Sequence, residues 1–111
     1  EDILEYLTRH NVWFALEHDL ATVLPEVDVV YATRIEPELL RQPSAQLPGG
    51  SSYFIHRATL HLLAPHALLM HPLPRLHEID PSVDTDKRAA YFRQTRNGVL
   101  IRMALLVSVF E

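Results

Sequence analysis

HALLMHPLPR, residues 66–75, decides how this chain is read: a short apolar run leads straight into two prolines that bracket a single leucine. Such a run, bounded by turn chemistry, is a strand candidate. Each proline then fixes φ and removes a backbone N–H, so the exit from that strand presents carbonyls without matching donors. Those carbonyls suit the N–H groups of an amide-like ligand. They equally suit a plain rigid exit turn with one cis X-Pro bond.

The same pattern recurs upstream. DVVYATR (residues 28–34) is apolar until it stops at Thr33 and Arg34, and VWFAL (residues 12–16) reads as a further strand because it is β-branched, aromatic and continuous. Helical segments separate these runs. EDILEYLTRH predicts a helix ending near Asn11, with acids in its first turn. DLATVLPEV predicts a short helix with Asp19 as its cap and Pro25 near its end. EPELLRQ and ATLHLLAP read as short helices, QPSAQLPGGSSY as a long loop and HEIDPSVDTD as an acidic connector. KRAAYFRQTRNGVLIRMALLVSVFE predicts a helix broken near Asn97-Gly98 and then resumed. Strands that alternate with helices predict an α/β fold, a parallel sheet flanked by helices.

Composition sets the bounds. At 111 residues, 48% hydrophobic and 22% charged, the chain is globular and suits one domain or a piece of a larger one. A net charge of −4 provides no field that would draw nucleic acid or an anionic membrane, so neither is expected as a partner. The absence of Cys removes disulfides, thiolate catalysis and Cys-based zinc sites, and makes the cytoplasm the default compartment, with an organelle as the alternative. MALLVSVF (residues 103–110) falls far short of the ~20 apolar residues that span a bilayer. The chain starts at Glu1 without Met, which is the expectation for a beginning that is processed, truncated or incompletely represented.

In open parallel sheets ligands bind beyond the carboxyl ends of the strands, where loops converge. Two predicted strands stop there at chemically pointed residues, Thr33-Arg34 and His71 to Arg75. Arg34 offers a planar fork that can hold a carboxylate or phosphate through two parallel hydrogen bonds, and Glu36 and Glu38 lie close enough in sequence to hold it in place. An Arg after a strand is more often simply solvated. His56, His61 and His66 are spaced by five, off a common helical face, and no His-Glu-x-x-His pattern occurs, so no metal site is expected. Arg88, Arg93, Arg96 and Arg102 form a basic stretch beside Tyr91 and Phe92. Asp80, Asp84 and Asp86 just upstream favour pairing within the chain over RNA binding. Gly-rich nucleotide loops and the Gly-x-Ser-x-Gly elbow are absent.

HPLPRLHEID, taken with DVVYATRIEPE and VDTDKRAAYFRQTRNGVLIRMALL, closely resembles the aspartate carbamoyltransferase family over nearly the whole chain, most weakly across residues 42–57. The resemblance implies a Rossmann-like aspartate-binding domain that is incomplete here. Residues 1–97 would be part of that domain, and residues 98–111 a terminal helix that packs on a carbamoyl phosphate domain outside these residues. It implies transfer of a carbamoyl group from carbamoyl phosphate to L-aspartate, with no metal, no cofactor and no covalent intermediate, in a trimer or larger assembly with the rest of the catalytic chain. Arg34 would grip an aspartate carboxylate and Glu38 would orient it. The Pro72 and Leu73 carbonyls would accept from the carbamoyl amino group, with the Leu73-Pro74 bond cis. Arg75 and Glu78 would serve interdomain contact and closure.

Two departures accompany the resemblance. The family's substrate-binding Gln after Thr-Arg-Ile is replaced by Glu36, a carboxylate that repels aspartate unless protonated or turned away. The Ser-Thr-Arg-Thr phosphate cradle, a Ser and Lys loop and a second aspartate-binding Arg are not among these residues, so the chain alone is expected to be inactive. The competing reading is a non-catalytic remnant of the fold kept as a structural or interaction subunit. Glu36 favours the remnant, while the intact HPLPR and TR favour the enzyme.

Overall fold

The computed structural model describes residues 2–34 and 54–110. Two strands carry the architecture: β1 (Val29–Tyr31) and β2 (Leu68–Met70) pair in parallel, with Val29 opposite Leu68, Val30 opposite Leu69 and Tyr31 opposite Met70. Bonds from Leu68 N–H to Asp28 O and from Ala32 N–H to Met70 O, both 2.9 Å, extend the ladder at either end. On the far edge of β2, Leu69 forms a parallel bridge with Ala89, through bonds of 2.8 Å to Arg88 O and from Ala90 N–H. A second parallel bridge joins Ile55 to Ile79.

Local chemistry explains the elements around this sheet. α1 (Ile3–Arg9) ends where Asn11 takes φ 53°, letting Asn11 N–H reach Thr8 O at 3.1 Å and Val12 N–H reach Leu7 O at 3.0 Å. This left-handed cap satisfies the last carbonyls of the helix, and Asn is among the few residues that tolerate it. α2 (Leu20–Val23) starts at Asp19, whose carboxylate accepts from Ala21 N–H at 3.0 Å, and runs into a 3-10 turn over Leu24–Glu26 that contains Pro25. α3 (Arg57–Leu60) is capped by His56, and a 3-10 turn over Pro81–Val83 by Asp80. The core gathers Leu24, Ile55, Leu60, Leu63, Ala67, Leu69, Ile79, Val83 and Tyr91, with Val27, Val30 and Ala32 packed against it. β2 is its spine: Leu69 is fully buried, and enclosing such a side chain contributes about 1.5–3 kcal/mol.

Two expectations fail. Val12 to Leu16 does not form a strand; Trp13 is 88% and Leu16 67% exposed. An apolar run becomes a strand only where a neighbour completes its ladder, and among the described residues none pairs with it. The final helix, α4 (Tyr91–Phe110), runs unbroken for 20 residues through Asn97 and Gly98. A glycine inside a helix costs about 1 kcal/mol, too little to stop one that its neighbours propagate. Here the missing side chain leaves room for Arg102, whose Nη1 lies 3.1 Å from where a Gly98 Cβ would stand. α4 is anchored by the buried Tyr91, but Val99 to Phe110 stand exposed, Phe110 at 83%. No helix among the described residues is long and apolar enough to cross a membrane. The predicted EPELLRQ helix and most of the QPSAQLPGGSSY loop lie outside the described residues.

Candidate functional site

Because β1 and β2 run parallel and in register, their carboxyl ends open on one edge, placing Thr33-Arg34 beside the HPLPR exit. The exit is built around His71, the first residue after β2. Its backbone N–H donates to Gln94 Oε1 at 3.0 Å, and its ring Nδ1 accepts from Leu73 N–H at 2.9 Å. A ring nitrogen that accepts carries no proton, so the proton of the neutral ring sits on Nε2, which donates to Glu78 Oε1 at 2.8 Å. The His71 side chain is fully buried and that of Glu78 is 5% exposed. Both Glu78 oxygens also accept from Leu76 N–H, at 3.2 Å. Burial pushes the Glu78 carboxyl up, but the backbone N–H groups of Glu78 and Leu76 and the His71 ring together outweigh it and hold it below the usual range.

This scaffold sets the conformation of the two prolines' leucine. Leu73 has φ 45° and the Leu73-Pro74 bond is cis. A leucine at positive φ costs of order 1–3 kcal/mol and persists only when its surroundings over-determine it. Here they do, through the bond to the His71 ring and packing of Leu73 on the core. The only N–H between the prolines is thereby turned inward. Among the described residues no hydrogen bond reaches the Pro72 or Leu73 carbonyl.

Arg75 closes the far end of the exit. It grips both carboxylate oxygens of Asp84, with Nη2 to Oδ2 at 2.6 Å, donates to the Tyr91 hydroxyl at 3.1 Å, and lies 5.5 Å over the Tyr91 ring. Tyr91 in turn donates to Asp84. The Asp84 bond raises Arg75, and the Arg75 bond holds Asp84 low, while burial and then Asp84 push the Tyr91 hydroxyl up to about 12. A parallel pair ties Asp86 to Arg88 at 2.9 Å, and Arg88 also donates to Leu63 O. Of the four arginines expected to pair with the upstream acids, Arg88 does so, with Asp86; Asp84 pairs instead with Arg75, and Arg93, Arg96 and Arg102 stand exposed and make no ion pair among the described residues.

Arg34 is exposed and makes no hydrogen bond or ion pair among the described residues. Glu36 and Glu38 lie outside the described residues. No group of three or more His, Asp or Glu side chains among the described residues is arranged to hold a metal. Sequence reasoning missed Gln94 and the inward role of His71. The His71 bonds were recoverable only by asking where the lone N–H of an x-Pro-x-Pro exit could go; Gln94 left no signal.

These charge pairs set a pH dependence. Asp86 is held at about 2, down from 3.8, first by its bond to Arg88, and Asp84 and Glu78 are also lowered. For each the folded value lies below the unfolded one, so the stability they add is full above the ordinary carboxylate range and is lost as pH falls through the folded values. Tyr91 works in the opposite sense: its contribution is full below 10.0 and lost as pH rises through about 12. Urea unfolding is expected to give a plateau from about pH 5 to 9 and a loss of about 1–3 kcal/mol between about pH 4.5 and 2, after allowance for solvent screening. Equal stability at both ends of that acid interval would contradict the pairing.

The family model for aspartate/ornithine carbamoyltransferase, Asp/Orn binding domain, matches residues 1–109. Among curated relatives, the chloroplastic aspartate carbamoyltransferase of Oryza sativa subsp. japonica is 46% identical over 107 residues, covering 96% of this chain and 30% of the relative. The aspartate carbamoyltransferase catalytic subunit of Clostridium novyi is 35% identical, covering 96% and 35%. Among solved structures, aspartate transcarbamoylase of Trypanosoma cruzi in complex with carbamoyl phosphate and aspartate superposes with TM-score 0.75 at 35% identity, covering 93% of this chain and 32% of that one. The chain spans about a third of the length of these two relatives.

Proposed function

Because the chain belongs to the aspartate/ornithine carbamoyltransferase family, matching its Asp/Orn binding domain, we propose that it is the aspartate-binding part of an aspartate carbamoyltransferase. The observation that carries this reading is the donor-stripped exit of β2: among the described residues no hydrogen bond reaches the Pro72 or Leu73 carbonyl, and Arg34 on the neighbouring strand end makes no hydrogen bond or ion pair. Two carbonyls hold the carbamoyl NH2 of carbamoyl phosphate, and the guanidinium fork holds an aspartate carboxylate. The aspartate amine then attacks the carbamoyl carbon, the bond from that carbon to the phosphate oxygen breaks, and phosphate leaves with that electron pair and takes up the proton the amine loses. Catalysis of this kind rests on positioning and on electrostatic stabilisation. The family resemblance assigns Glu36 to substrate binding and Glu38 to orienting Arg34.

Arg75 and Glu78 keep the exit in shape, which is what a loop that must meet a second domain on closure requires. The phosphate is gripped by residues beyond these 111, and the exposed face of Val99 to Phe110 packs on that remaining part of the catalytic chain, residues 98–111 forming the connection. The assembly is a trimer or larger. We place it in the cytosol or in an organelle, as for the relatives named chloroplastic.

The test is product formation. The complete polypeptide, given carbamoyl phosphate and L-aspartate, should release phosphate and carbamoyl aspartate, and the chain alone should release neither. Carbamoylation of ornithine in place of aspartate would sink the substrate assignment.

A further inference from the structure

Gln94 stands on α4, yet its side chain reaches the ends of both strands. Its Oε1 accepts from His71 N–H at 3.0 Å and its Nε2 donates to the Tyr31 hydroxyl at 3.0 Å. The orientation of the amide is forced: a backbone N–H can only donate, so the carbonyl faces His71 and the NH2 group faces Tyr31. Tyr31 is the last residue of β1, three before Arg34, and His71 is the first after β2, two before Leu73. Past the Ala32 to Met70 bond, no backbone hydrogen bond joins the two exits among the described residues. A three-residue ladder therefore leaves their separation to side chains, and Gln94 spans it.

We propose that Gln94 is a positioning residue that ties the Arg34-bearing exit to the Pro72 and Leu73 carbonyls, so that groups held by one exit meet groups held by the other at reacting distance. Gln94 touches no substrate. The inference rests on the reading that these exits bind aspartate and carbamoyl phosphate. Misplacement of reacting groups by even ~1 Å is a rate effect that can reach about 100-fold; a single half-exposed tie should be worth less.

The chemistry of the tie supplies its own control. Gln94→Leu keeps the bulk and loses both bonds. Gln94→Glu keeps both, because a carboxylate accepts from His71 N–H and the Tyr31 hydroxyl can turn to donate. In the complete polypeptide, kcat/KM for aspartate should fall about tenfold in Gln94→Leu and return to within about twofold of wild type in Gln94→Glu. Tyr31→Phe should lose about threefold, and combining it with Gln94→Leu should add nothing further. Equal losses in the Leu and Glu variants, or additive losses in the double variant, would overturn the proposal.

Amide hydrogen exchange gives a readout independent of turnover. Tyr31→Phe removes no atom bonded to His71, yet should speed exchange at the His71 and Leu73 amides several-fold. Unchanged protection overturns the tie whatever the activity. A wild-type enzyme that makes no carbamoyl aspartate would defeat the substrate reading, while exchange at these two amides still decides whether Gln94 couples the exits.

Discussion

Glu78→Leu should cost the chain about 3 kcal/mol of stability, read as a drop in the urea midpoint near pH 7. The substitution leaves two donors without acceptors in a closed space: the His71 Nε2–H, on a fully buried ring, and the Leu76 N–H. Each such group costs about 1–3 kcal/mol when stripped of its partner, and leucine supplies nothing to either. Glu78→Gln retains one acceptor oxygen of similar shape and should lose only about 1 kcal/mol. Function should fall alongside stability, because the His71 ring that loses Glu78 is the one that holds Leu73 N–H and therefore the backbone at φ 45°. A Glu78→Leu variant within 1 kcal/mol of wild type, on the order of a routine surface substitution, would show that water or a repacked side chain replaces the carboxylate.

Arg34→Ala should do the reverse, leaving the fold alone and emptying the site. Arg34 is exposed and unpaired among the described residues, so its removal should change stability by no more than about 0.5 kcal/mol. If Arg34 holds an aspartate carboxylate as proposed, loss of that bidentate contact in the complete polypeptide should remove about 3 kcal/mol of binding, or roughly 100-fold in kcat/KM for aspartate. The loss should appear chiefly in KM. Arg34→Lys keeps the charge but not the planar fork and should recover only part of the loss. Kinetics with aspartate as the varied substrate, beside a thermal melt of the same protein, separate the outcomes. Unaltered kinetics would remove Arg34 from the site, and a large fall in melting temperature would assign it a structural role instead.

Much of the scaffold was legible in short stretches. DVVYA and HALLM read as strands because they are continuously apolar, and the structure pairs them in parallel and in register, although they are not covered on both faces: Val29, Tyr31 and Leu68 stand exposed. Asp19 at a helix start and Asn11 at a helix end act through atoms two to five residues away, so their roles are visible in any local window. The prolines of HPLPR announce missing donors wherever they sit. The resemblance to carbamoyltransferases rested on the same local words, and the comparisons place the chain in that family.

What failed or stayed hidden depended on neighbours distant in sequence. Val12 to Leu16 has the composition of a strand, but a ladder needs a second chain segment, and composition cannot say where that segment is. Asn97-Gly98 has the signature of a helix end, but whether a helix stops is decided by the propagation of its neighbours and by an arginine four residues on that fills the glycine's gap.

By itself the sequence determined the layer type, the polarity of the strands, the helix caps and the identity of a donor-poor exit, because each is set by backbone dihedrals and hydrogen bonds within a few residues. Only the tertiary structure decided the rest. It put His71 against Glu78 and thereby chose which ring nitrogen holds the proton, it turned Arg75 onto Asp84 and Tyr91, and it brought Gln94 to bonds with residues 23 and 63 positions earlier in the chain. The physical reason is that buried polar groups must be satisfied by whatever packing brings near, and packing is a property of the folded chain as a whole.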